Sequence, residues 1–227
     1  MSASNQARGL VLSRIRAALG VTSKDKRREE AVEERLHNHP RGTIPCRARA
    51  GHEALLELMT AMLNSQGAEV TRATTPEDVI RAIAGDLGAH NLPSVLRMGS
   101  DPVLGTFPWD TVPLLERLSG RAQPDDRAAL SRAVTAAAET GTLVLVSGAD
   151  NPTTLAFLPE VHFILVRAGD VAGSYEDAFD RLRAIYGEGN LPRSVNLISG
   201  PSRTADIEQT IVRGAHGPKR LHVVILG

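Results

Sequence analysis

Cysteine occurs once, at Cys46, in a chain of 227 residues. A single thiol excludes an internal disulfide, and it excludes a cysteine-ligated iron–sulfur cluster or zinc knuckle within one chain. Aromatic residues make up only 3%, so the stacking platforms that hold single-stranded nucleic acid are missing. Neither sign of charge prevails, since 26 lysines and arginines face 26 aspartates and glutamates. No global field therefore draws the chain to nucleic acid or to an anionic membrane. No apolar run reaches the roughly 20 residues of a membrane span. The opening stretch has no signal-peptide core, and a cytoplasmic protein is expected. Neither G-x-G-x-x-G nor a P-loop occurs, which disfavours the common nucleotide folds. HExxH and Cys/His spacings are also missing, so no metal and no cofactor are expected.

What is present is aliphatic. Apolar residues reach 42% with few aromatics, so the core must be built from Leu, Val, Ile and Ala. The length suits one large domain, or one domain with an appendage. Two polar, helix-prone segments open the chain. In the first, Leu12, Ile15 and Leu19 recur at helical spacing and Gly20 is a stop. The second, from Lys24 to about His37, mixes Glu and Arg at the spacings of a solvated, charge-paired helix. Pro40, Gly42 and Pro45 mark a linker. The expected division is a helical extension over 1–47 and a compact domain over 48–227.

Within that domain helix-like and strand-like segments alternate. Helices are predicted over 52–66, 76–87, 125–139, 175–186 and 204–213. Strands are predicted over 68–73, 94–98, 142–146, 162–166, 194–198 and 221–226. The runs Leu143–Val146, Phe163–Val166 and His222–Leu226 are nearly continuous in apolar residues. That pattern indicates burial on both faces, hence an α/β fold with a mostly parallel sheet flanked by helices.

Ligands of such sheets bind beyond the carboxyl ends of the strands. Three loops qualify: Gly99-Ser100-Asp101-Pro102, Ser147 to Pro152 with Gly148 and Asn151, and Ser199-Gly200-Pro201-Ser202-Arg203-Thr204. If all the strands are parallel, these loops share a rim. The third is the richest, with an arginine among hydroxyls at a strand-to-helix turn. Thr204 would be the N-cap and Asp206 would sit in the first helical turn, so free N–H groups and Arg203 would face a carboxylate or phosphate. Glu139 ends the predicted 125–139 helix, where an acid opposes the helix dipole. That makes it a candidate general base or nucleophile, although simple alternation places it on the opposite rim from Arg203. Trp109 reads as a loop anchor in the core and His216 as a capping or packing residue.

The string Ile198 to Thr210 (ISGPSRTADIEQT), Gly214-Ala-His-Gly-Pro218 and the closing run Leu221–Leu226 resemble the lactate utilization protein C family, the LUD domain. So do Ala138 to Leu145 and Leu158-Pro159. Thr153-Thr154 stand where members often carry an arginine. The resemblance covers roughly residues 48–226. It implies a three-layer α/β/α fold similar to the sugar-phosphate isomerase and coenzyme A transferase superfamily. It also implies a role in oxidising L-lactate to pyruvate beside iron–sulfur partner proteins; with no redox group of its own, the chain is expected to be an accessory subunit that binds a small anionic metabolite at the 199–204 loop. The alternative is a stand-alone isomerase- or transferase-like enzyme acting on a phosphorylated or coenzyme A-linked molecule.

Overall fold

The computed structural model describes residues 3–22, 25–205 and 211–227. Contacts divide the chain into two units, 1–43 and 44–227. The first holds α1 (Ala3–Leu19) and α2 (Lys26–Asn38). Gly20 follows α1 at φ +62°, and the Asp25 side chain caps α2 by accepting from the Arg28 amide.

In the second unit the chain runs through α3 (His52–Ser65), β1 (Glu69–Ala73), α4 (Pro76–Ala89), β2 (Val95–Met98), α5 (Pro102–Gly105) and β3 (Glu116–Ser119). It continues through β4 (Ala128–Arg132), β5 (Thr135–Ala137), β6 (Thr142–Val146), β7 (Val161–Arg167), β8 (Val171–Ala172) and α6 (Tyr175–Tyr186). It ends with β9 (Val195–Ile198), β10 (Arg203–Ala205), β11 (Ile211–Arg213) and β12 (Arg220–Leu226). Among the described residues no helix is long and apolar enough to cross a membrane.

The central sheet has six strands in the order β1-β12-β7-β4-β2-β3, and every pairing is parallel. One face packs Leu130, Phe163, Leu165 and Val224 against Val79, Ile80, Ile83 and Leu87 of α4. Trp109 joins this layer, donating its indole N–H to the Leu104 carbonyl at 2.8 Å, so it is the loop anchor expected from sequence. The other face packs Ile164, Val166, Val223 and Ile225 against α3 and against Leu143 and Leu145 of a second sheet. That second sheet, β8-β5-β6-β9, packs its far side on Ala178 and Leu182 of α6. The chain is therefore an α/β protein with a parallel central sheet flanked by helices.

Three expectations are corrected. Residues 125–139 are not a helix but β4 and β5, joined by a bend through which the chain changes sheets. The alanines alternate between layers, Ala136 toward the central sheet and Ala137 toward α6. This is the period of a strand, and the small side chains let the layers approach on both faces, so packing overrides alanine's helix propensity. The strands 142–146 and 194–198 do not join the parallel sheet, because β6 pairs antiparallel with both β5 and β9. Finally, 203–205 and 211–213 form an antiparallel pair, with Arg203 opposite Arg213. Thr204, Ile211 and Val212 are β-branched and favour that pairing over a helix. Asp206 lies outside the described residues.

Helix α4 starts at a reciprocal cap. Thr75 accepts from the Asp78 amide, and the Asp78 carboxylate accepts from the Thr75 amide at 3.0 Å. Bonds from Arg81, Thr74 and Thr75 hold the Asp78 carboxyl well below its ordinary range. Thr75→Ala is expected to cost about 1 kcal/mol in urea unfolding, with the slope unchanged.

Candidate functional site

At the carboxyl ends of β2, β3 and β4 the chain leaves the sheet in three turns. After β2, Gly99 lets the backbone approach the Asp150 carbonyl so closely that no Cβ fits. The Ser100 amide donates to the Ala149 carbonyl at 3.3 Å. Gly99, Ser100, Gly148 and Asn151 are thus brought together as expected, with Asn151 donating to the Val146 carbonyl at 3.2 Å. After β3, Gly120 turns at φ +103° and presents Arg121. From the second sheet, the Ser194 amide donates to the Ser147 hydroxyl at 2.9 Å, which fixes Arg193 beside it.

The result is an open cleft of about 880 Å³ lined by Arg121, Ser147, Gly148, Thr153, Thr154 and Arg193, among others. Thr154 also accepts from the Ala122 amide at 2.9 Å. Among the described residues neither Arg121 nor Arg193 has a carboxylate within ion-pair distance. Ser147 and Gly148 also wall an adjoining cavity of about 250 Å³, which holds Asp101, Arg132, Asp150, Asn151 and Tyr186. Here Arg132 donates to Asp101 at 2.8 Å, and the other Asp101 oxygen caps α5 through the Val103 and Leu104 amides at 2.9 and 3.1 Å. Burial raises the Tyr186 phenol above its ordinary value, with Arg132 opposing and Asp150 adding to the shift. It is a neutral hydroxyl at pH 7. Chemically the cleft offers two guanidinium groups without an ion pair among the described residues, several hydroxyls and a tight turn, a set that complements an anion.

The 199–204 loop lies elsewhere. β9 runs antiparallel to β6, so Ser199 meets Thr142 at the start of β6 while Ser147 follows its end. The three loops do not share one rim. Ser199 to Ser202 line a separate cavity of about 230 Å³ with His162, His216 and Leu221, near the amino ends of β7 and β12. Among the described residues its lining contains no lysine or arginine. Arg203 is exposed on a strand, against Gly67, and Thr204 and Ala205 continue that strand rather than start a helix.

Glu139 also changes place. It sits in the turn between β5 and β6, and its carboxylate accepts from the Tyr175 amide at 2.7 Å. Tyr175 opens α6 after the Ser174 cap, so the acid stands at a helix N-terminus, where the dipole favours it. Thr142 bonds the hydroxyls of Thr140, Tyr175 and Ser199 at 2.8, 2.6 and 2.8 Å, its full complement. Glu139 and Ser199 therefore lie on one side of the second sheet, not on opposite rims. Arg121, Arg193, Arg132 and Tyr186 were missed from sequence, because only the crossover between sheets gathers them. The turn Gly120-Arg121 was the one local signal.

Glu69, Asp86 and His90 converge closely enough to suggest metal ligands. Arg220, however, donates to Glu69 and Asp86, at 2.7 Å each. Its guanidinium already supplies the cationic charge, and the cluster ties α4 to β12.

Comparison with known proteins matches residues 56–226 to the LUD domain. The chain belongs to the LUD domain family. A stretch of 89 residues is 40% identical to an uncharacterized protein of Neisseria meningitidis serogroup B, covering 39% of this chain and 37% of that one. Lactate utilization protein C of Shouchella clausii is 36% identical over 89 residues, covering 39% of each chain. That of Deinococcus radiodurans is 35% identical over 101 residues, covering 44% of this chain and 46% of the other. The matched stretch thus spans less than half the length of these relatives. The crystal structure of a DUF162 family protein from Deinococcus radiodurans aligns with a TM-score of 0.57 at 25% identity, covering 78% of this chain and 99% of that one.

Proposed function

We propose that this chain serves lactate utilization as an accessory subunit, binding a small carboxylate or phosphate in the 147–154 cleft while iron–sulfur partner proteins carry the electrons. The observation that carries the anion site is the pair Arg121 and Arg193, both in the cleft lining and neither neutralised by a carboxylate among the described residues. The relatives' names support the lactate setting. Oxidising lactate moves two electrons, and these need an acceptor. A single cysteine and the lack of a dinucleotide fingerprint favour an acceptor on partner chains.

Calorimetric titration with L-lactate and pyruvate tests the site. Arg121→Ala and Arg193→Ala should each weaken binding about tenfold, the loss of one charge-assisted contact. Arg203→Ala should leave affinity unchanged. Equal affinity in the double variant and the parent would overturn the site. Dye reduction with L-lactate should appear only when cysteine-rich partners are added, and reduction by the isolated chain would overturn the subunit reading.

A further inference from the structure

The smaller cavity beside the cleft of Arg121 and Arg193 differs from it in charge. Arg132 ends β4, Tyr186 ends α6, and Asp150 and Asn151 come from the loop after β6. All four line this space of about 250 Å³. Arg132 bonds Asp101 through Nε at 2.8 Å. The other Asp101 oxygen is engaged by the amides that open α5. Among the described residues the two terminal nitrogens of Arg132 have no partner. They are not sealed away either, since no unpartnered atom of Arg132 is buried. The same holds for the Tyr186 hydroxyl. Burial holds that phenol above its ordinary value, so it is a neutral hydroxyl at pH 7.

Asp101 neutralises Arg132, and the Asp150 carboxylate has no ion pair among the described residues. The described walls thus set one guanidinium against two carboxylates. A carboxylate or phosphate placed here would go uncompensated, whereas Arg121 and Arg193 favour it next door. A hydroxyl suits these walls. It accepts from Arg132 or Tyr186 and donates to Asp150, or to the side-chain oxygen of Asn151, whose nitrogen is spent on the Val146 carbonyl. Ser147 and Gly148 wall both spaces. They are consecutive residues, with Cα atoms about 3.8 Å apart, so one molecule reaches from the cleft into the cavity.

We infer that this cavity is a hydroxyl-reading subsite of the cleft. The ligand is a hydroxy acid whose carboxylate lies at Arg121 and Arg193 and whose chain carries hydroxyls to Arg132, Asp150 and Tyr186. This rests on the anion reading of the cleft and names the class of anion. L-lactate carries a single hydroxyl, whereas a polyhydroxy acid fills both spaces. Arg132, Asp150 and Tyr186 are then specificity residues, because a chain without hydroxyls leaves their polar groups desolvated and unmet.

Calorimetric titration of the intact chain with gluconate and hexanoate tests the subsite. The two probes share a six-carbon chain and a carboxylate and differ in hydroxyls. Gluconate should bind about tenfold more tightly or better, the worth of one hydrogen bond to a charged group. Tyr186→Phe and Asp150→Asn should each lower the ratio of gluconate to hexanoate affinity about fivefold, whereas a purely structural role would move both probes together. Arg121→Ala should weaken both alike. Equal affinity of the two probes, or a ratio unchanged in both variants, would overturn the subsite, and weakening of both by Arg121→Ala would then show that the cleft still stands. Affinities unchanged in Arg121→Ala and Arg193→Ala would overturn the cleft reading and the subsite with it, as would the absence of binding by either probe.

Discussion

Asp86→Asn is expected to cost about 3 kcal/mol of stability at pH 7, the low end for breaking a buried ion pair from one side. Asp86 is 8% exposed on α4 and receives Arg220 through two nitrogens, at 2.7 and 3.2 Å. His222 Nδ1 lies 3.2 Å from the same carboxylate, and its Nε2 lies 2.8 Å from the Thr71 hydroxyl on β1. One acid thus ties a helix to two neighbouring strands of the central sheet. The amide would keep the shape and remove the charge that Arg220 faces. Glu69 still neutralises part of that guanidinium, which sets the low end of the range.

The pH dependence has a definite sign. Burial pushes the Asp86 carboxyl up, but the bonds from Arg220 and His222 outweigh it and leave the group below its ordinary value. A depressed carboxyl stabilises the fold above its unfolded value, near 3.9, and loses that contribution as pH falls through the folded value. The stability gap between parent and Asp86→Asn should therefore narrow below about pH 4. Urea titrations at pH 7, 5 and 3.5 measure it. A gap that stays constant at pH 3.5 would remove the ion pair as its cause.

Local signals were legible wherever one element answers to its own residues. The helices at 52–65, 76–89 and 175–186 have caps or glycine stops at their ends and one apolar stripe each, and all three were read from sequence. The segment 125–139 was misread because alanine carries a helix preference but no face. Only its neighbours decide it, and Ala129 pairs with His162 in the centre of a sheet. A continuous apolar run such as Leu143–Val146 tells that both faces are covered, but not by which sheet. Two packed sheets bury it as completely as flanking helices do. That ambiguity moved the candidate site. With β9 antiparallel to β6, the 199 loop falls away from the 147 loop, and Arg121 and Arg193 take the place given to Arg203.

The loop contact that survived from sequence to structure gives the other large effect. Gly99→Ala is expected to destabilise the domain by about 2–3 kcal/mol, the upper part of the range for overpacking. A Cβ at Gly99 would stand 2.5 Å from the Asp150 carbonyl carbon and 2.8 Å from Pro152 Cδ. Both belong to backbone or to a proline ring, so no side-chain rotation relieves the clash. The loops 99–102 and 147–152 must separate, and the Ser100 amide loses its 3.3 Å bond to the Ala149 carbonyl. Gly148, Thr153 and Thr154 lie on the moving side of the cleft, whereas Arg121 follows β3 on the other. Binding of L-lactate or pyruvate should therefore weaken together with stability. Gly148→Ala separates the two effects, because among the described residues the nearest heavy atom to a Cβ there, beyond its chain neighbours, is the Asp150 amide nitrogen at 3.9 Å. It should leave stability within about 0.5 kcal/mol of the parent. Thermal unfolding and calorimetry on both variants decide the matter. A Gly99→Ala protein with parental melting and parental affinity would mean that the close approach of these loops positions nothing.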